Sequence, residues 1–261
     1  MKERIITTIV TLAVFIPMIL NGGWVLTAGL AIIAAIALLE LLHMKKIPVI
    51  SFASLVSVIG LTAIVLTKQD VNGGLSLLAE KIVIGSALLL LMNMVFSANR
   101  FTAEDAGVAI LGMVYIGAGF RSFILVRETG IHLLLLILFV VWSTDTFAYL
   151  VGRKIGKNKL APRISPNKTI EGSVGGTVAA MIVAAIYLTF NTFNHSFAYM
   201  MAAMFALSII GQMGDLAESA MKRFFGVKDS GKILPGHGGL LDRFDSLLFA
   251  MTFAVLFNLT R

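Results

Sequence analysis

Apolar residues run through this chain in nine long blocks separated by short polar stretches. The blocks predict membrane helices at roughly 5–20, 24–42, 49–67, 79–97, 106–120, 131–151, 171–190, 197–218 and 240–258. Several fall short of the ~20 residues that a perpendicular span needs. The first two form a hairpin around Asn21-Gly22-Gly23, and the third follows Lys45-Lys46-Ile47-Pro48. No repeat, low-complexity tract or long polar linker interrupts the series. The expected fold is an all-α integral membrane protein, a single polytopic domain over residues 1–261 with its chemistry on cytoplasmic loops.

Composition strengthens that expectation. The chain is 58% hydrophobic and only 13% charged. It has no cysteine, which excludes disulfides and thiolate metal sites. The first apolar run, Ile5–Leu20, has no small-residue cleavage site before Asn21-Gly22-Gly23, so no cleaved signal peptide is expected. The net charge of +7 reads as Lys/Arg retained on the cytoplasmic side, with no nucleic acid as partner. With the N-terminus inside and nine alternating helices, 16 of the 21 Lys/Arg fall inside. Lys68, Lys81, Arg121, Arg127 and Arg261 fall outside. The C-terminus is then outside, and two basic loops, 152–170 and 219–239, share the cytoplasmic face of the inner (plasma) membrane.

One stretch departs from the apolar pattern. Ser219 to Asp245 holds three Asp, five Lys/Arg, one His and five Gly in 27 residues. Asp242 and Asp245 are three apart and share a helical face, a spacing that can hold a divalent cation such as Mg²⁺. Asp215, Ser219 and Lys222 stand on one face upstream. Gly236, Gly238 and Gly239 flank His237 and leave backbone N–H groups open to a phosphate. Lys222, Arg223, Lys228, Lys232 and Arg243 supply positive charge. A solvated basic loop would explain the lysines. It would not explain carboxylates where a helix re-enters lipid, because charge is costly there.

Single polar residues elsewhere admit two readings each. Asp145 sits inside an apolar block, as a functional acid or as a structural carboxylate bonded to Thr or Tyr neighbours. Glu171 opens the seventh helix, where negative charge suits the helix dipole. Glu40 and His43 are expected to snorkel or cap, and His132 and His195 to be solvated at outer edges. Gly172 and Gly176 form a small-xxx-small step that reads as close helix packing. The loop 152–170 carries six cations and no acid, suited equally to lipid headgroups or to a triphosphate. Ser165-Pro166 is expected to supply an N-cap and first helical position.

The 27-residue stretch meets every fixed position of the pattern S-x-x-K-R-x4-K-D-x-G-x2-L-P-x-H-G-G-x2-D-R-x-D. In this it resembles the phosphatidate cytidylyltransferase (CDP-diacylglycerol synthase) family. Two shorter segments resemble the family as well: Trp142, Asp145, Ala148, Tyr149, Gly152 and Arg153, then Ser165, Pro166, Lys168, Thr169, Glu171 and Gly172. The resemblance covers 142–245, the expected catalytic region, and tips the basic loop toward nucleotide phosphate. It implies CTP and phosphatidic acid as partners, CDP-diacylglycerol and pyrophosphate as products, and Mg²⁺ as cofactor. A homodimer is left open. Asp215, Asp242 and Asp245 would form the metal shell, with Ser219, Lys222 and Arg243 on phosphate. Arg153, Lys168, Arg223, Lys228, Asp229, His237, Gly238 and Gly239 would bind substrate, and Asp145 and Glu171 are further candidates. The rival readings are a CTP-dependent enzyme acting on another lipid phosphate or lipid alcohol, and a small-solute transporter. Against the transporter, the acids cluster at one membrane edge rather than at the midplane.

Overall fold

The computed structural model describes residues 2–67, 76–233, 236 and 238–260, and most of them are helical. Nine helices appear among the described residues: α1 Lys2–Asn21, α2 Gly23–Met44, α3 Phe52–Leu66, α4 Leu77–Phe96, α5 Ala103–Thr129, α6 Ile131–Ile155, α7 Ile170–Phe190, α8 Phe197–Phe224 and α9 Leu241–Leu256. Six of them (α2, α4, α5, α6, α7 and α8) are long and apolar enough to cross a membrane. Local signals set several starts. Ser51, Ser76, Thr169 and Ser196 are N-caps whose side chains accept from the N–H three residues on.

The nine blocks match these helices, with two differences. The fifth helix was expected to end at 120, placing Arg121 and Arg127 in an outer loop. Both lie inside α5 instead. No Pro or Gly interrupts residues 121–129, and the buried Arg121 guanidinium donates to the Thr67 carbonyl. The second difference is Ser165-Pro166, which does not begin a helix. Ser165–Thr169 is strand β2, paired antiparallel with β1, Lys159–Ala161. Pro166 lacks an N–H and suits this edge position. Thr169 caps α7 instead, accepting from Gly172 N at 3.1 Å.

The chain divides into two compact units: Met1–Ile124 with Asp229–Arg243, and Leu125–Lys228 with Phe244–Arg261. In the first, α2 supplies the core through Leu26, Leu30, Ala34, Leu38 and Leu41. α5 lies against it at Gly112, where an added Cβ would meet Leu38 and Leu41 side chains.

The second unit is built on α6 and α7. A Cβ on Gly172 would sit 2.6 Å from Ala148 O, and one on Gly176 2.5 Å from Thr144 O. The small-xxx-small reading of this pair therefore holds: the two backbones touch where side chains are missing. A buried polar chain adds α8. Thr144 Oγ1 meets Ser208 Oγ at 2.8 Å, Ser208 donates to Thr177 Oγ1 at 3.2 Å, and Gln212 Nε2 donates to Thr177 Oγ1 at 3.0 Å. With α6 and α7 locked together, the β1–β2 hairpin between them is held against their ends.

Gly176→Val tests that contact. Its side chain would strike backbone rather than a flexible neighbour, so we expect a loss of ~3 kcal/mol. Thermal unfolding in detergent should show a clear fall in Tm, whereas Gly85→Ala, with open space around its Cβ, should not.

Candidate functional site

The second unit encloses a cavity of about 460 Å³ between α6, the hairpin, α7 and α8. Its lining includes Asp145, Tyr149 and Arg153 from α6, Asn167, Lys168 and Thr169 from β2, Ser173 from α7, and Gln212 and Asp215 from α8. The size suits one small-molecule ligand. The segments 142–153 and 165–172 thus meet on one hollow, although neither forms it alone.

Two lysines of this unit are paired with carboxylates. The Lys168 ammonium lies 2.5 Å from Asp215 Oδ2, and Ser219 donates to Asp215 Oδ1 at 3.3 Å. One turn further along α8, Lys222 pairs with the fully buried Glu218. Arg223, expected on substrate, donates to Ile164 O at 3.2 Å and so holds the hairpin turn. Arg153 is exposed, lines the cavity and has no carboxylate partner among the described residues. Glu171 does more than face a helix dipole. It accepts from Lys157 N, Asn158 N and Asn158 Nδ2 at 2.7–3.2 Å, fixing the entry to β1.

Asp245 reaches the same region from α9. Gly214, just before Asp215, lets the two helices approach: a Cβ there would lie 2.7 Å from Asp245 O. The Asp245 carboxylate is within electrostatic range of Asp215, Asp145 and Lys222. Three carboxylates therefore converge with two lysines. Hard oxygen donors of this kind suit Mg²⁺, and the Lys168 ammonium on Asp215 shows where a cation is already favoured. Among the described residues of either unit, no three His, Asp or Glu side chains stand close enough to share one ion as placed.

The part of the charged stretch from Asp229 to Arg243 belongs to the first unit. Asp242 Oδ2 accepts from Ser230 N at 2.9 Å, Ser230 Oγ at 3.0 Å and Gly239 N at 2.9 Å. Gly238 has φ +84°, a left-handed conformation suited to glycine, and Gly239 packs so tightly that a Cβ would collide with Ser230 Oγ. Lys228, Asp229 and Arg243 are exposed. His237 lies outside the described residues.

Glu40 is the residue that sequence reasoning undervalued. It does not snorkel: it is 5% exposed and accepts from Ser230 Oγ at 3.1 Å, Leu240 N at 3.0 Å and Leu241 N at 2.9 Å. Leu240 and Leu241 begin α9, whose own sequence has no capping side chain at that point. Glu40 therefore caps α9 from α2, satisfying orphan amides with a full charge. The available signal was an acid inside Leu38-Leu39-Glu40-Leu41-Leu42. His132 and His195 likewise have partners, Tyr187 Oη at 3.1 Å and Asn258 O at 3.2 Å.

The model of the cytidylyltransferase family matches residues 2–260. Proteins named phosphatidate cytidylyltransferase from Staphylococcus saprophyticus and Staphylococcus aureus are each 45% identical over 251 residues, covering 96% of this chain and 96% of theirs. One of the same name from Staphylococcus epidermidis is 42% identical over the same coverage.

Glu40→Gln should weaken the start of α9. Glutamine keeps the shape but presents one acceptor and an N–H₂ donor to three donors. An unsatisfied buried donor costs ~1–3 kcal/mol. We expect a lower Tm and faster hydrogen exchange at the Leu240 and Leu241 amides. Unchanged exchange there would show that the carboxylate does not hold them.

Proposed function

Because the chain belongs to the cytidylyltransferase family, we propose that it transfers the cytidylyl group of CTP to phosphatidic acid in the membrane. The observation that carries this is the cavity where Arg153, Lys168, Asp145 and Asp215 meet, in a chain alike over its whole length to proteins named for that reaction. A phosphatidate oxygen attacks the α-phosphorus of CTP. The α–β phosphoanhydride bond breaks, leaving CDP-diacylglycerol and pyrophosphate. No covalent intermediate on the chain is required.

The roles follow from the charges. Arg153, unpaired with any described carboxylate, takes nucleotide phosphate directly. Lys168 exchanges its Asp215 partner for phosphate oxygen. Ser219 holds Asp215 in orientation, and Lys222 adds positive charge for the departing pyrophosphate. Mg²⁺ would neutralise phosphate charge, with Asp215 and Asp245 as donors. The rate then comes mainly from electrostatic positioning. The protein is read as a multi-pass membrane protein of the inner (plasma) membrane with 152–170 and 219–239 facing the cytoplasm.

Purified protein given phosphatidate and CTP labelled at the α-phosphorus should move label into lipid, and label at the γ-phosphorus should leave as pyrophosphate. Transfer of γ label to lipid would instead identify a lipid kinase, and no transfer from either position would support the transporter reading.

Lys168→Ala should raise the KM for CTP in neutral detergent, while an unchanged KM removes Lys168 from the nucleotide. Asp245→Asn should lower turnover on the order of 10³-fold and raise the Mg²⁺ requirement.

For topology, single cysteines at the exposed Lys157 and Lys232 should react with impermeant thiol reagents only after cells are permeabilised. Labelling of both in intact cells would reverse the orientation.

A further inference from the structure

A second cavity, about 480 Å³, lies in the first unit, and none of its lining residues belongs to the segments that carry the family pattern in sequence. It is formed where the α2–α3 and α4–α5 connections come together. Three cations line it: Lys45, Lys46 and Arg100. Two of the three are available. Lys45 is held by Glu104 at 2.7 Å and Asp105 at 3.5 Å, and the Glu104 hydrogen bond raises its pKa, so it stays charged and paired. Lys46 and Arg100 are exposed and have no carboxylate partner among the described residues. Arg100 donates through Nε to Ser97 O at 3.1 Å, which anchors the head of the side chain at the rim. The Asn93 side chain adds an amide to the same wall.

The chain around this basic hollow is apolar and open. Ile50 is 97% exposed, and Val95 and Phe96 are each 78% exposed. Ile50 stands in the same connection as Lys46, and Val95 and Phe96 directly precede the connection that carries Arg100. Both connections also begin with left-handed turns on residues other than glycine, Lys46 at φ +66° and Ala98 at φ +52°. Such turns are uncommon outside glycine and persist when surrounding structure fixes them. They set the two cationic connections side by side rather than letting them splay.

We infer that this cavity binds the phosphate headgroup of an anionic glycerophospholipid. Lys46 and Arg100 face the phosphate and the exposed apolar residues run along the acyl chains. The charge complementarity selects an anion, and the apolar collar selects one that carries hydrocarbon. Basic pockets at the ends of membrane helices recognise lipid headgroups by this combination.

The test needs no CTP, so its outcome is independent of the reaction proposed above. Full-length protein in neutral detergent is titrated with phosphatidylglycerol or phosphatidylcholine, and bound lipid is counted by native mass spectrometry. Phosphatidylglycerol should bind preferentially. In Lys46→Asn/Arg100→Gln it should bind on the order of 30-fold more weakly, given the usual contribution of each basic residue near an anionic lipid. Asn is chosen at 46 because it tolerates the left-handed conformation. Asn93→Asp provides a second reading, since it adds like charge to the same wall with little change of shape, and it should also weaken binding. Equal affinity for both lipids, or unchanged binding in both variants, overturns the proposal. Displacement of the lipid by millimolar inorganic phosphate overturns it too, by showing a site for free anions.

Discussion

A carboxylate set in an apolar helix has to be given donors or a cation, because the ionised group is costly to leave bare in a low-dielectric surrounding. In this protein that requirement decides where the polar segments go. Glu40 on α2 draws Ser230, Leu240 and Leu241 onto itself. Glu171 on α7 draws in the backbone of Lys157 and Asn158. Asp215 on α8 holds Lys168, and Glu218 holds Lys222. Glu40, Glu171 and Asp215 each fix a polar segment that would otherwise have little apolar surface to bury, while the Glu218–Lys222 pair lies within α8. The loops are ordered by buried charge, and the helices by their hydrocarbon.

The hollow in the second unit is a consequence of small residues as much as of charge. Gly172 and Gly176 let α7 approach the carbonyls of Thr144 and Ala148 on α6. Once the backbones touch, the short connection between the two helices has to fold back, and it does so as the β1–β2 hairpin. That geometry turns Lys168 toward α8 and places Arg153 at the mouth. A bulkier pair at 172 and 176 would separate the helices and open the cavity wall, so the packing motif and the binding site are one feature seen at two scales.

Pairing also bears on mechanism. Lys168 and Lys222 are held by carboxylates before any anion arrives, so their positions are set without exposing uncompensated charge. Preorganised groups of this kind contribute to catalysis because they need little rearrangement as charge develops.

The sequence by itself determined the helices and the class. Long apolar blocks admit only a helix that satisfies its own backbone, so all nine were legible with their approximate bounds. A charge inside an apolar block is costly, and Asp145 stood out for that reason, Asp215 by its shared helical face with Ser219 and Lys222, and Lys168 through the family resemblance. Tertiary structure decided which charges meet. Arg121 reads as a loop residue until the Thr67 carbonyl is found beside it. Ser165-Pro166 has the local form of a helix start, but pairing with Lys159–Ala161 makes it a strand. Glu40 lies 190 positions from Ser230, and no local pattern could join them. Hydropathy and capping act over a few residues and are written in the chain, whereas the partner of a buried charge is whichever donor the folded helices bring to it.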